Sequence, residues 1–273
     1  MKKITALLLS LSLILIITGC GQDEKQPASQ PEKKDVTLKV ATLIPPMTDI
    51  LDIVKPLLKE DGINLDIVVL GDNVQPNTAL ANNEVDANFF QHVPYMNQYN
   101  DSNDTDLTLV QPIYHAIYGA YSKRYKDIAD LPDGATIAIA NDASNIGRSL
   151  VMIEKAGLIK LKEGAGIEST QRDIVENKHN YQFKEVDLLM LARTLDDVDL
   201  VAMTPAYAKP VGLTPKKDAL ITESVDSEFA ISLVARSNNA NAEEIKKLAE
   251  RMTGPEVKKF LEEEYDEIAL PAF

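Results

Sequence analysis

The sequence predicts an α/β fold on three observations. From residue 36 onward, short apolar runs of strand character alternate with segments of helical spacing. The first three such segments read β-α-β, the unit that favours a parallel pair with a covering helix. The chain has 273 residues, 45% of them hydrophobic, enough to bury one large or two modest cores.

Residues 1–19 precede that fold. Lys2 and Lys3 form a positive n-region, Ala6–Ile17 is an apolar stretch, and small residues then lead to Cys20. This is the pattern of a secretory signal. Ile17-Thr18-Gly19-Cys20 resembles a bacterial lipobox. That resemblance implies cleavage before Cys20 and acylation of its thiol with palmitate-type chains; a plain signal peptide or a membrane anchor is the alternative. Residues 20–35 then form a lipidated cysteine and a tether rich in Gln, Pro, Lys and Glu, with no apolar run. As a flexible coil it reaches roughly 20 Å. The expected location is the extracytoplasmic face of the cell membrane.

Val36–Thr42 is the first expected strand. A helix follows, with Ile50, Leu51, Val54, Leu57 and Leu58 on one face and Gly62 at its end; Pro56 predicts a kink or a short second helix. Leu65–Leu70 is the second strand, Pro76–Asn83 a helix, Val85–Phe89 a strand, and Pro94–Tyr99 a helix start. Strands are expected at Leu107–Ile113, Tyr118–Ser122 and Ile137–Ala140. Asn141–Asn145 is turn chemistry, with Ser144 or Asn145 as N-cap of a helix over Ile146–Ala156. Thr170–Glu176 reads as a short helix, Gln182–Val186 as a strand, Leu188–Thr194 as a helix and Asp199–Met203 as a strand. Leu220-Ile221 and Phe229–Ala235 are the last strands, and helices at Ala242–Met252 and Pro255–Tyr265 close the chain.

Charge narrows the function classes. The chain holds 42 acidic against 28 basic residues and a formal charge of −14; removing residues 1–19 takes away two lysines and leaves −14 − 2 = −16. No basic stripe suits nucleic acid. Cys20 is the only cysteine, so a thiolate metal site or a cysteine nucleophile is excluded from the mature fold. There is no nucleophile elbow, phosphate loop or HExxH motif, and no pair among His92, His115 and His179 has metal-ligand spacing. No enzyme activity and no cofactor or metal is expected.

Two stretches point to a small ligand. Eight of the fifteen Phe and Tyr residues fall between 89 and 125, a wall-forming composition that also suits an ordinary core. In Ile137–Leu150 a buried strand feeds a helix whose expected first turn contains Arg148. A cation there opposes the helix dipole by roughly 0.3–1 kcal/mol, and a bound carboxylate or phosphate removes the conflict. An ordinary exposed arginine, or one paired with Asp142, is the plain alternative.

Val74–Leu80 followed by Val85–Tyr95 (VDANFFQHVPY) resembles the NlpA/MetQ family of lipoproteins, the substrate-binding components of methionine-type ABC importers. Asn141-Asp142, Ser144-Asn145 and Gly147-Arg148 are similar to a second signature of that family, and Ile268–Phe273 to its C-terminus. The resemblance spans about residues 36–273. It implies a two-lobed, type II periplasmic-binding-protein-like fold with the ligand in an interlobe cleft. One lobe would comprise residues 36–119 with 231–273 and the other 120–230. Phe90, His92 and Tyr95 would line the side-chain pocket, Arg148 would bind a carboxylate, and Asn145 and Thr204 would add contacts. The partners implied are methionine or a close analogue, an ABC permease, and the membrane through the lipid; the protein would act as a monomer.

The chain departs from that pattern. Asn73 stands where the family commonly has Tyr, and Met203–Ala208 replaces an Ile-Asn-x-Asn-Tyr-Ala run, so that Thr204 and Ala206 stand for amides. Ile231 replaces a third. Losing a pocket hydrogen-bond partner costs about 1–3 kcal/mol. This opens two alternatives: the same fold binding a methionine-containing dipeptide or another amino acid, or a surface lipoprotein with a degenerate cleft that acts through protein contacts.

Overall fold

The structure, a computed structural model, describes residues 36–224, 228–266 and 268–273. The signal, Cys20 and the tether lie outside the described residues.

In chain order the elements are β1 (Val36–Thr42), α1 (Met47–Glu60), β2 (Ile63–Val69), α2 (Gln75–Ala81), β3 (Ala87–Gln91), α3 (Val93–Asn103) and β4 (Leu107–Ala116). Then come β5 (Gly119–Tyr121), β6 (Thr136–Ala140), α4 (Ala143–Lys155), β7 (Lys160–Leu161), β8 (Ile174–Glu176), β9 (Gln182–Val186), β10 (Leu200–Met203), α5 (Pro205–Ala208), α6 (Pro215–Asp218) and β11 (Ala219–Thr222). β12 (Ala230–Arg236), α7 (Glu243–Met252), α8 (Pro255–Glu264) and β13 (Ala269–Pro271) complete the fold.

The strands form two main sheets, in the orders β13-β4-β12-β3-β1-β2 and β11-β5-β10-β6-β9, with β7 and β8 as a separate antiparallel pair. The opening β-α-β unit is parallel, with β1 paired to β2 from Val36–Ile63 to Thr42–Val69. The first sheet is mixed, because β12 runs antiparallel to both β3 and β4. In the second sheet β6 is parallel to β9 and β10, and β5 is antiparallel to β10 and β11.

Period-two alternation places a core on each face of each sheet. In β12, Leu233 and Ala235 face Ile50, Leu51, Ile245 and Leu261 of the helices, while Val234 faces Leu80 and Met96. In the second sheet Ile137, Ile139, Leu200 and Ala202 pack on Leu150 and Ile153 of α4. Ala138, Ala140, Val201 and Met203 pack on Leu191 and Leu195. Strands covered on both faces are apolar throughout, as in β6 and β10.

Four local expectations change, one being that Leu188–Thr194, expected as a helix, lies in a 3-10 helix over Leu188–Asp196. α1 runs unbroken through Pro56. Pro56 and Asp52, whose carbonyl loses its helical donor there, are both on the exposed face, where water can serve that carbonyl. Thr170–Glu176 is a 3-10 turn over Gln171–Asp173 followed by β8, not a helix; Thr170 and Asp173 close a capping box and β8 pairs with β7. The N-cap of α4 is Asp142, whose carboxylate accepts from the Asn145 N–H at 3.0 Å, so the helix begins at Ala143.

Candidate ligand-binding site

A cavity lies between the elements of the two sheets. Phe90, Gln91, His92, Tyr95, Tyr114 and Ile231 line it from the side of the first sheet; Asn145, Arg148, Leu188, Thr204, Ala206 and Tyr207 line it from the side of the second. Leu43, Met47 and Asn73 complete the wall. Phe90, His92, Tyr95, Asn145, Arg148 and Thr204 thus converge on one space, although 114 residues separate Phe90 from Thr204 in the chain.

The aromatic wall follows from the β3–α3 junction. Every residue of β3 is buried, so Phe90 and its neighbours have no outward option. His92 then caps α3, with Pro94 in its first turn. Its Nδ1 accepts the Tyr95 N–H at 3.2 Å, which leaves Nε2 as the protonated nitrogen, 3.3 Å from Oδ1 of Asn145. Asn145 is held in turn by two 3.0 Å bonds from its Nδ2 to the Asp142 carboxylate. Burial, reinforced by the charge of Arg148, pushes His92 down to about 3, so the imidazole is neutral at physiological pH. Tyr95 sits edge-on to Phe90 with centroids 5.9 Å apart and donates to the Asn73 carbonyl at 3.0 Å. Burial raises the Tyr207 phenol to about 12, so it too stays neutral.

Arg148 is neither exposed nor paired with Asp142. Its side chain is 2% exposed. It is the sixth residue of α4, beyond the first turn, because the helix starts three residues earlier than expected. The helix N-terminus is also committed: Asp142 takes the Asn145 N–H, and Oε1 of Gln98 takes the Ser144 N–H at 3.1 Å. The dipole conflict and the backbone anion cradle expected there are therefore absent. What remains is the guanidinium. Its Nε and Nη2 donate to Oε2 of Glu223 at 2.9 and 2.5 Å, and Nη2 also donates to the Ala116 carbonyl at 3.2 Å. Tyr118 and Phe229 cover its faces, 4.4 and 4.5 Å from the ring centroids.

Among the described residues, no group of three or more His, Cys, Asp and Glu is placed to hold a metal ion. No helix among them is long and apolar enough to cross a membrane.

The profile of the NlpA lipoprotein family matches residues 38–273. This chain belongs to the NlpA lipoprotein family. The chain is 37% identical over 246 residues to the D-methionine-binding lipoprotein MetQ of Salmonella typhimurium, covering 89% of this chain and 88% of that one. Among solved structures it is similar to a nutrient-binding protein of Burkholderia cenocepacia bound to methionine. There the TM-score is 0.84 at 35% identity, over 86% of this chain and 100% of that one. It is also similar to lipoprotein Tp32 of Treponema pallidum, with a TM-score of 0.85 at 34% identity over 88% of this chain and 100% of that one. The α/β fold is thus the two-lobed fold of the family's solved binding proteins.

Several signature residues of this NlpA chain form a framework, and Gln91, which also lines the cavity, joins that framework to the wall. Asn77 donates to Oε1 of Gln91 at 2.8 Å, and Gln91 donates back to Asn77 at 2.5 Å and to Asn88 at 3.0 Å. Asn88 donates to Asn77 at 2.8 Å and to the Pro76 carbonyl at 3.2 Å. This buried amide network fastens α2 to β3 behind the aromatic wall. Gly147 has a similar role: a Cβ there would lie 1.8 Å from the Ile167 carbonyl oxygen, so only glycine lets the turn at 166–168 close on α4.

Of the eight clustered aromatics, only Phe90, Tyr95 and Tyr114 line the cavity. Phe89, Tyr118 and Tyr121 are buried core residues. Glu223 was not singled out by sequence, and Phe229 and Tyr207 were named only within runs that depart from the family pattern. Glu223 is one of 42 acidic residues, and its neighbours carry no motif.

Proposed function

We propose that this protein is the lipid-anchored solute-binding component of an ABC importer and that it takes methionine or a close analogue into the cavity between its lobes. The observation that carries the reading is the cavity itself: an aromatic and aliphatic wall suited to an apolar side chain and, among the described residues, one buried guanidinium suited to a carboxylate. The relatives named above are described as binding D-methionine or as bound to methionine.

Arg148 pairs with the ligand carboxylate; Phe90, His92 and Tyr95 line the side chain; Asn145 and Thr204 contribute polar contacts. The lobes comprise residues 36–119 with 231–273, and 120–230. Sheet membership supports this division, since the chain leaves the first sheet after Ala116 and rejoins it at Ala230. The protein works as a monomer tethered through Cys20 to the extracytoplasmic face of the cell membrane. It binds and releases by movement of one lobe against the other and delivers its ligand to a membrane permease.

Calorimetric titration of ligand-free mature protein with L- and D-methionine tests the reading. Saturable binding is expected, with loss of at least tenfold in affinity in Arg148→Ala. No heat with either enantiomer or with methionine sulfoxide overturns it.

A second reading rests on Asn73, Thr204, Ala206 and Ile231, all four of which line the cavity. A ligand that needs fewer amide contacts, such as a different amino acid or a methionine-containing dipeptide, fits that wall. Mass spectrometry of ligand released by denaturing the purified protein separates the two readings.

A further inference from the structure

Among the described residues, Arg148 is the only formally charged one lining the cavity at neutral pH, since His92 is neutral there. Its charge is already matched. The Glu223 carboxylate, only 10% exposed, meets the Nε–Nη2 edge of the guanidinium through a single oxygen. Glu223 is itself fixed, because its N–H donates to the Tyr118 carbonyl at 2.8 Å, and Tyr118 covers one face of Arg148. Nη2 is also held by Ala116, while Nη1 donates to none of the described residues. The guanidinium lining the cavity is therefore one half of a neutral ion pair whose Nη1 is not engaged by the described residues. Burial, and after it the negative charges of Asp142 and Asp72, raise the Tyr95 phenol on the cavity wall.

We propose that Glu223 is a specificity-determining residue that sets the net charge of the ligand. With Arg148 neutralised, a ligand whose own charges sum to zero, such as an α-amino-acid zwitterion, enters without leaving a buried excess charge. A monoanion of the same shape leaves the pair with one uncompensated negative charge in a poorly solvated space, which is strongly unfavourable. A bare arginine would have the opposite preference and would hold a monoanion well. Glu223 thus explains how a site built on a buried guanidinium rejects simple carboxylates. The inference rests on reading the cavity as an amino-acid site.

The test compares L-methionine with its α-keto acid, 4-methylthio-2-oxobutanoate, which replaces the ammonium group by a carbonyl oxygen and adds no bulk. Both are titrated calorimetrically into wild type, Glu223→Gln and Glu223→Asp. The expected result is that Glu223→Gln shifts the affinity ratio toward the keto acid by at least about tenfold, while Glu223→Asp keeps the wild-type ratio. A merely structural role would weaken both ligands in proportion, and an unchanged ratio in Glu223→Gln overturns the proposal. If Glu223→Gln does not fold, wild type decides: equal affinity for methionine and the keto acid overturns the proposal, and a preference for methionine that Glu223→Asp retains supports it. Should wild type bind neither compound while Glu223→Gln gains the keto acid, the charge rule stands and the methionine reading falls. If no variant binds either compound, both fall.

Discussion

A buried guanidinium loses several kcal/mol of hydration unless its donors are met, and Arg148 is met by Glu223, Ala116 and two ring faces. The same logic governs His92, which gives up a proton rather than carry charge beside Arg148. That choice makes stability pH-dependent. The folded value of about 3 lies below the unfolded value of 6.5. Between them the unfolded chain holds a proton that the folded protein does not, so the stabilisation is present above pH 6.5 and is lost as pH falls toward 3. The loss is at most about 1.4 kcal/mol per pH unit. Urea unfolding at pH 7 and pH 5 measures it: wild type is expected to lose more stability than His92→Gln over that interval, and equal losses would contradict the assignment. Arg148 was legible in the sequence as a cation near a helix start. Its partner was not, because 75 residues separate Arg148 from Glu223 and nothing local marks that glutamate.

At the scale of elements, hydrophobic period located the longer strands and helices, while the short β7, α5, α6 and β13 carried too few residues to show a period. β1 and β9 match their expected spans, Val36–Thr42 and Gln182–Val186, because turn residues bound a clear pattern on both sides. The start of α4 was misplaced because Asp142, Ser144 and Asn145 are all competent caps. The choice went to Asp142, whose carboxylate takes the Asn145 N–H and also both bonds from the Asn145 amide. That selection shifts Arg148 out of the first turn and points Asn145 at His92. Gly147 belongs to the same element. Gly147→Ala is expected to force the Ile167 carbonyl off α4, at a cost of about 1–3 kcal/mol. A calorimetric melt checks this, with a fall in Tm of about 2–12 °C expected and an unchanged Tm counting against the contact.

For the whole molecule, the cavity exists only because two separately cored sheets face one another across it. His92–Asn145 and the Ser144–Gln98 contact already join their elements. A ligand held between them should bind the folded protein alone and stabilise it as a unit. At a concentration a hundredfold above Kd the gain is about 2.7 kcal/mol, which corresponds to a Tm rise of about 5–11 °C. A thermal-shift series with L-methionine measures this; a Tm that stays flat while calorimetry shows binding would contradict preferential binding to the folded protein.

The sequence alone determined the export signal, the α/β alternation and the aromatic and arginine motifs, since each is written in contiguous residues whose spacing carries its own physics. It also marked Asn73, Thr204, Ala206 and Ile231 as altered, and the fold places all four on the cavity wall. Only the tertiary structure decided that Asn77, Asn88 and the wall residue Gln91 satisfy one another and that Asp142 closes the helix end. It also decided that Glu223 holds Arg148. Buried polar groups take whichever partner folding brings within hydrogen-bonding distance. Those partners come from distant parts of the chain, so the cavity-lining aromatics and Arg148 were readable while the partner of Arg148 was not.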